Sequence, residues 1–187
     1  SYYGLVTFID DLIGKILGAV EQNGLSNNTQ IFYISDHVEN IGERDLWGKS
    51  NFYEESVGIP CIIKGPKIPA GKTLKTPVSL VDVYPTILKS AGITPEAKPG
   101  TSLVDLANAV DDFERLVFSE YHAVGSPTGA FMIRKGQWKL IYYLSMQPQL
   151  FNLAEDPEEL CDLGTDPKQE VIRRQLEAEL RSICDPE

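Results

Sequence analysis

"YISDHVENIGERDLWGKSNFYEES", Tyr33 to Ser56, leaves an apolar run and at once sets Asp36 beside His37, with Lys49 following twelve positions after the histidine. Six carboxylates, a tryptophan and a single lysine share the stretch with that histidine. The residues that lead into it, "QIFYIS" (Gln30–Ser35), form a nearly continuous aromatic and β-branched run. Such a run suits a strand buried on both faces of a parallel sheet. Open α/β sheets bind ligands beyond the carboxyl ends of their strands, where loops converge. Asp36 and His37 stand at such an end.

Outward from this point the chain reads as α/β. Between Tyr2 and Gln22 the residues Leu5, Ile9, Leu12, Ile13, Ile16, Leu17 and Val20 recur at three- and four-residue steps, the stripe of an amphipathic helix, and Gly24 suits its C-cap. Asp10 and Asp11 then fall on the polar face of that helix. "VGIPCIIKG" (Val57–Gly65) predicts a second strand and "SLVDVYPTILKSAG" (Ser79–Gly92) a second helix. After Asp112 four short apolar runs, "RLVFSEY", "AFMIRKG", "WKLIYY" and "QLFNL", predict a small antiparallel sheet. One covering helix is expected from about Pro167 to Cys184, its apolar face made by Val171, Ile172, Leu176, Leu180 and Ile183. The turn "AEDPEE" (Ala154–Glu159) reads as a solvated connection, and "PEAKPG" as a linker.

The chemistry-bearing residues admit two readings each. Asp36 and His37 are either half of a divalent-metal site, with one anionic and one neutral donor, or a capping carboxylate next to a packed imidazole. Roughly twenty residues separate the two strands, and connections of that length in a compact domain are commonly functional. This one holds Trp47, Phe52 and Tyr53, which disordered loops tend to lack. Trp47 is the expected anchor that turns Lys49 toward the same crevice, where its ammonium would hold an anion as a point charge. A solvated lysine is the alternative. His122, in "SEYHAVGSPTG", leaves a strand where it either overhangs the crevice as a substrate-binding group or serves as a rim residue.

Composition limits the partners. With 27 acidic against 17 basic residues, net charge −10, nucleic acid and anionic membrane are not expected. An anionic substrate would need local positive charge. Nor does any apolar run approach the ~20 residues of a membrane span. Cys61, Cys161 and Cys184 are isolated and expected as buried thiols, with a Cys161–Cys184 bridge left open. No signal peptide leads the chain; a targeting segment upstream of Ser1 is left open, and compartment with it.

"SDHVENIGERDLWGKSNFYEESVGIPCIIKGP" resembles the sulfatases of the alkaline phosphatase superfamily, in its Ser-Asp-His opening, its W-x-K and its following strand. "YYGLVTFIDDLIGKIL", "SLVDVYPTIL", "MIRKGQWKLIYY" and "LFNLAEDPEELCDLGTDP" extend the likeness over the whole chain. The Asp-His form with its lysine twelve residues on is similar to the choline sulfatase and phosphonate monoester hydrolase branch. The resemblance implies the C-terminal half of such an enzyme. Residues 1–112 would be the C-terminal part of an alkaline-phosphatase-like α/β catalytic domain, and 113–187 a small four-stranded antiparallel subdomain with one helix. It further implies that Asp36 and His37 are ligands of a divalent ion, Ca2+ first, with Mn2+ or Mg2+ as alternatives. Lys49 would hold an oxygen of a small-molecule sulfate ester.

Two features depart from that pattern. The C/S-x-P-x-R string that supplies the formylglycine nucleophile does not occur, and the nucleophile is expected upstream of this chain. Val38 stands where the family has glycine, a residue suited to positive φ or close backbone approach. A half sheet would also leave an apolar face uncovered, at a cost of ~25 cal/mol per Å2. Cover is expected from the missing half or from an oligomeric contact.

Overall fold

A computed structural model describes residues 2–186. Helix α1 (Tyr2–Gln22) leads to strand β1 (Ile31–Ile34). The loop beyond it carries β2 (Asn40–Ile41), β3 (Trp47–Gly48) and the single turn α2 (Glu54–Val57), and ends in β4 (Cys61–Lys64). Helices α3 (Val83–Ser90) and α4 (Leu103–Asn108) precede the strands β5 (Leu116–Tyr121), β6 (Ala130–Lys135), β7 (Trp138–Tyr143) and β8 (Gln149–Asn152); α5 (Glu170–Ile183) closes the chain. The fold is mixed α/β, with the expected four-stranded antiparallel sheet in the order β5-β6-β7-β8.

Residues of β6 to β8 alternate between two cores, as the pleat requires. Phe131, Ile133, Leu140 and Leu150 face Leu176 and Leu180 of α5. Ala130, Met132, Ile141 and Phe151 face the other way and enclose Phe52, which comes from the loop between β1 and β4. Both faces are therefore covered, which is why these strands read as continuous apolar runs. On α5 the buried stripe runs Ile172, Leu176, Leu180. Val171 is 81% exposed. It sits one 100° step off that stripe, so its place in the expected apolar face is corrected.

The parallel reading of β1 is also corrected. β1 pairs with β4 in antiparallel register, Ile31 opposite Lys64 and Ile34 opposite Cys61. A continuous apolar run does not encode direction, and the intervening loop doubles the chain back; nor is β1 buried on both faces, Tyr33 being 40% exposed. One face of this ribbon and helix α1 is open: no residue of α1 is buried, and Leu5, Ile16 and Ile62 are each at least 60% exposed. All three cysteines are free, and Cys61 and Cys161 are exposed rather than buried. Cys61 lies on this open ribbon and Cys161 in a surface turn.

The segment before β5 is tied to α3 through Asp82. Its buried carboxylate accepts from the Ser79 and Thr101 amides, both at 2.8 Å, and from the Arg115 guanidinium at 2.6 Å. Among the described residues no helix is long and apolar enough to cross a membrane.

Candidate functional site

β1 stops where its carbonyls give way to a tight turn. Ser35 Oγ donates to the His37 carbonyl at 2.7 Å, and the His37 amide donates to Asp36 Oδ1 at 3.0 Å. That amide, with His37 and Lys49 beside it, holds the exposed Asp36 carboxyl below its usual range. His37 Nδ1 lies 2.9 Å from the Val38 carbonyl. A carbonyl only accepts, so Nδ1 carries the proton and Nε2 presents its lone pair.

Three groups meet at that lone pair. His37 Nε2 is 3.5 Å from Asp36 Oδ2 and 2.5 Å from Lys49 Nζ. The structure thus brings Asp36, His37 and Lys49 together, twelve residues of loop having returned the lysine to the strand end. An anionic and a neutral donor converging on one point form a cation-seeking pair, and the ammonium now faces it. Among the described residues no cluster of three or more His, Cys, Asp or Glu side chains is arranged to hold a metal. The pair would fit a divalent ion as part of its shell, the Asp36 carboxylate suiting calcium, magnesium or manganese and the neutral His37 imidazole being an ordinary transition-metal donor.

The loop is shaped by its own backbone. Asn40, fully buried, donates to the Gly48 carbonyl at 2.6 Å. Left-handed conformations fall at Gly42, Arg44, Asp45 and Gly48. Val38 is not among them, so the residue that departs from the family's glycine occupies backbone open to valine. Arg44 stacks over the Tyr53 ring at 4.3 Å, pairs with Glu55 at 2.6 Å and donates to the Glu158 carbonyl.

Trp47 is not the anchor. It is 77% exposed, whereas Phe52 is 4% exposed and buried against the four-stranded sheet. The Tyr53-to-Glu55 turn is also latched by a buried charge cluster. Lys139 Nζ, on β7, lies 2.8 Å from Glu54 Oε1 and 2.7 Å from Glu159 Oε1, and the Glu54 amide donates to Glu159 Oε2 at 2.7 Å. The end of the "AEDPEE" turn is therefore buried, not solvated: Glu159 is 3% exposed. Burial pushes its carboxyl up, opposed by Lys139. No local pattern marks this partnership, because it joins positions 85 and 105 residues apart.

His122 meets partners on its own sheet. Its exposed ring meets Phe131 edge-on at 5.1 Å, and Nε2 is 3.4 Å from Glu120 Oε2. What approaches the lysine's neighbour is the adjoining loop. Tyr121 OH is 3.1 Å from Ser50 Oγ and donates to the Val124 carbonyl at 2.7 Å, and a side chain at Gly125 would meet Ser50 at 2.8 Å.

The sulfatase family model matches residues 1–93. The choline-sulfatase of Rhizobium meliloti is 37% identical over 95% of this chain, which spans 35% of that enzyme. A protein solved in complex with its substrate D-glucosamine-2-N,6-O-disulfate superposes with a TM-score of 0.83 at 27% identity, over 95% of this chain and 38% of its own. The phosphonate monoester hydrolase of Agrobacterium radiobacter superposes with a TM-score of 0.80 at 25% identity, over 97% of this chain and 40% of its own. The fold is that of the alkaline-phosphatase-like sulfatases. Within that class the chain resembles the C-terminal part of the sulfatases. It spans about a third of the length of the curated relatives it matches.

Proposed function

We propose that the protein to which this chain belongs is a metal-dependent sulfatase that hydrolyses a small-molecule sulfate ester. The observation that carries the reading is that Asp36 Oδ2 and Lys49 Nζ both lie within 3.5 Å of His37 Nε2 at one strand end, on a sulfatase-like fold. Cleavage of a sulfate monoester builds charge on the terminal and bridging oxygens, and fixed positive charge in a water-poor site stabilises it. Lys49 would bind a sulfate oxygen and follow that charge as it grows. Asp36 and His37 would hold a calcium, manganese or magnesium ion with ligands from the rest of the protein. When bound, that ion supplies Lewis-acid polarisation of the sulfate. The His37 tautomer, fixed by the Val38 carbonyl, leaves the Nε2 lone pair, which Lys49 now faces, as the side that would meet the ion, and the Asp36 carboxyl is held below its usual range.

The nucleophile, a formylglycine, would come from upstream of residue 1, together with the cover for the open face of α1 and the β1–β4 ribbon. On this reading the 187-residue chain alone is inactive. A groove of about 590 Å3 runs between α1 and the ribbon, from Val6 and Ile13 to Asp36 and His37, and supports a binding face continuous with the site. Phosphonate monoester hydrolysis is the second reading, favoured by the structural likeness to such an enzyme; sulfuryl and phosphoryl groups ask the same of a cation and an ammonium. Assay of the full-length protein on an aryl sulfate beside an aryl phosphonate monoester separates the two. Faster turnover of the sulfate is expected, and faster turnover of the phosphonate reverses the assignment. If neither ester is cleaved above background by correctly matured enzyme, the site is a non-catalytic remnant.

A further inference from the structure

We propose that Ser56 is a positioning residue that fixes the spacing of Lys49 and His37; the proposal rests on the sulfate-ester reading above. Ser56 is 1% exposed and engages both arms of the site. Its hydroxyl donates to the Lys49 carbonyl at 2.7 Å, and its own carbonyl accepts from the Val38 amide, next to His37, at 2.9 Å. One residue thus joins the backbone on either side of the pair that converges at 2.5 Å. A packed methyl group at this position would fill the space but could not hold the lysine's carbonyl, because only the hydroxyl donates.

The platform beneath Ser56 is itself fixed. α2 is a single turn of four residues and far below the length at which a helix stands alone. It persists because Phe52 precedes it into the core, Glu54 is held by Glu159 and Lys139, and Glu55 by Arg44. Rigidity of the antiparallel sheet is transmitted to Lys49 through Ser56. The lysine side chain is long and flexible, so its productive reach depends on where its backbone is pinned.

The test uses the full-length protein with Ser56→Ala and Ser56→Thr, the latter keeping a hydroxyl. S56A is expected to lower kcat on an aryl sulfate by about tenfold or more while KM changes by less than about threefold, since misplaced transition-state contacts act on kcat. S56T is expected to recover most of that loss. Wild-type kcat in S56A, or a loss that threonine does not repair, overturns the proposal. Hydrogen exchange provides a reading independent of activity: S56A should speed exchange in residues 36–40 and 47–51 without a comparable rise in β6 and β7. If exchange there is unchanged, the clamp is wrong. If exchange responds but wild-type protein cleaves no sulfate ester, only the sulfatase reading fails.

Discussion

At the scale of single residues, Lys49 is the position on which the proposed chemistry turns. Its ammonium is brought to the strand end, 2.5 Å from His37 Nε2. Lys49→Ala in the full-length protein should lower kcat/KM by about 100- to 1,000-fold, the range for loss of one transition-state donor. Steady-state kinetics on an aryl sulfate measures it, and a loss under about tenfold would place the lysine outside the reacting group. Chelation of divalent ions should abolish turnover, and Ca2+ or Mn2+ should restore it; full activity in excess chelator would remove Asp36 and His37 from their proposed role. Tyr143 offers a test of the fold alone. Burial pushes its phenol up from 10.0 to about 12. A phenol whose folded pKa exceeds the unfolded value stabilises the protonated fold, fully below pH 10 and less and less as pH rises toward 12. Among the eight tyrosines, absorbance at 295 nm should show a last phenol titrating near 12, absent in Tyr143→Phe.

At the scale of elements, the loop from β1 to β4 behaves as a structural part of the antiparallel sheet. Phe52 fills the second face of that sheet beside Met132, Ile141 and Phe151. Phe52→Ala should cost about 3–5 kcal/mol in urea unfolding, the range for a buried phenylalanine. A cost under about 1 kcal/mol would mean that the loop merely rests on the sheet. Lys139 makes a second attachment, fully buried between Glu54 and Glu159. Lys139→Met leaves a buried carboxylate without its cation and should destabilise by about 3–5 kcal/mol. Adding Glu159→Gln should return part of the loss, because the amide oxygen still accepts from the Glu54 amide.

The periodic elements were legible in the sequence: helix α1, the four antiparallel strands and α5 all follow from spacing within a few residues. So was the proximity of Asp36 to His37, which are adjacent in the chain. Harder to see were the features set by distant partners. Trp47, two residues before Lys49, reads as the loop's anchor, yet Phe52 is the ring that meets the sheet. Glu159 sat in an acidic turn that reads as solvated, and only Lys139 and the Glu54 amide give its burial a reason.

At the scale of the whole molecule, two regions differ in how far they are closed. The antiparallel sheet is covered on one face by α5 and on the other by the Phe52 loop. Helix α1 exposes Leu5, Val6, Phe8, Ile9 and Ile16 and the ribbon exposes Ile62, and the groove lined by Val6, Ile9 and Ile62 reaches Asp36 and His37. Exposed apolar surface of this kind is the usual mark of an interface. The 187-residue chain prepared alone should self-associate or bind a hydrophobic dye. Analytical ultracentrifugation showing a clean, stable monomer without dye binding would count against a missing cover.

The sequence by itself determined which residues stand at the carboxyl end of β1, the longer helices and strands (α1, β1, β4, α3, β5 to β8 and α5), and the sulfatase resemblance that runs the length of the chain. These depend on neighbours within a turn or a pleat. The tertiary structure decided that β1 and β4 run antiparallel, that Val38 needs no glycine backbone, and that Lys49 returns over twelve residues to His37. Those outcomes are set by hydrogen bonds and burial between positions far apart in the chain, which no local period records.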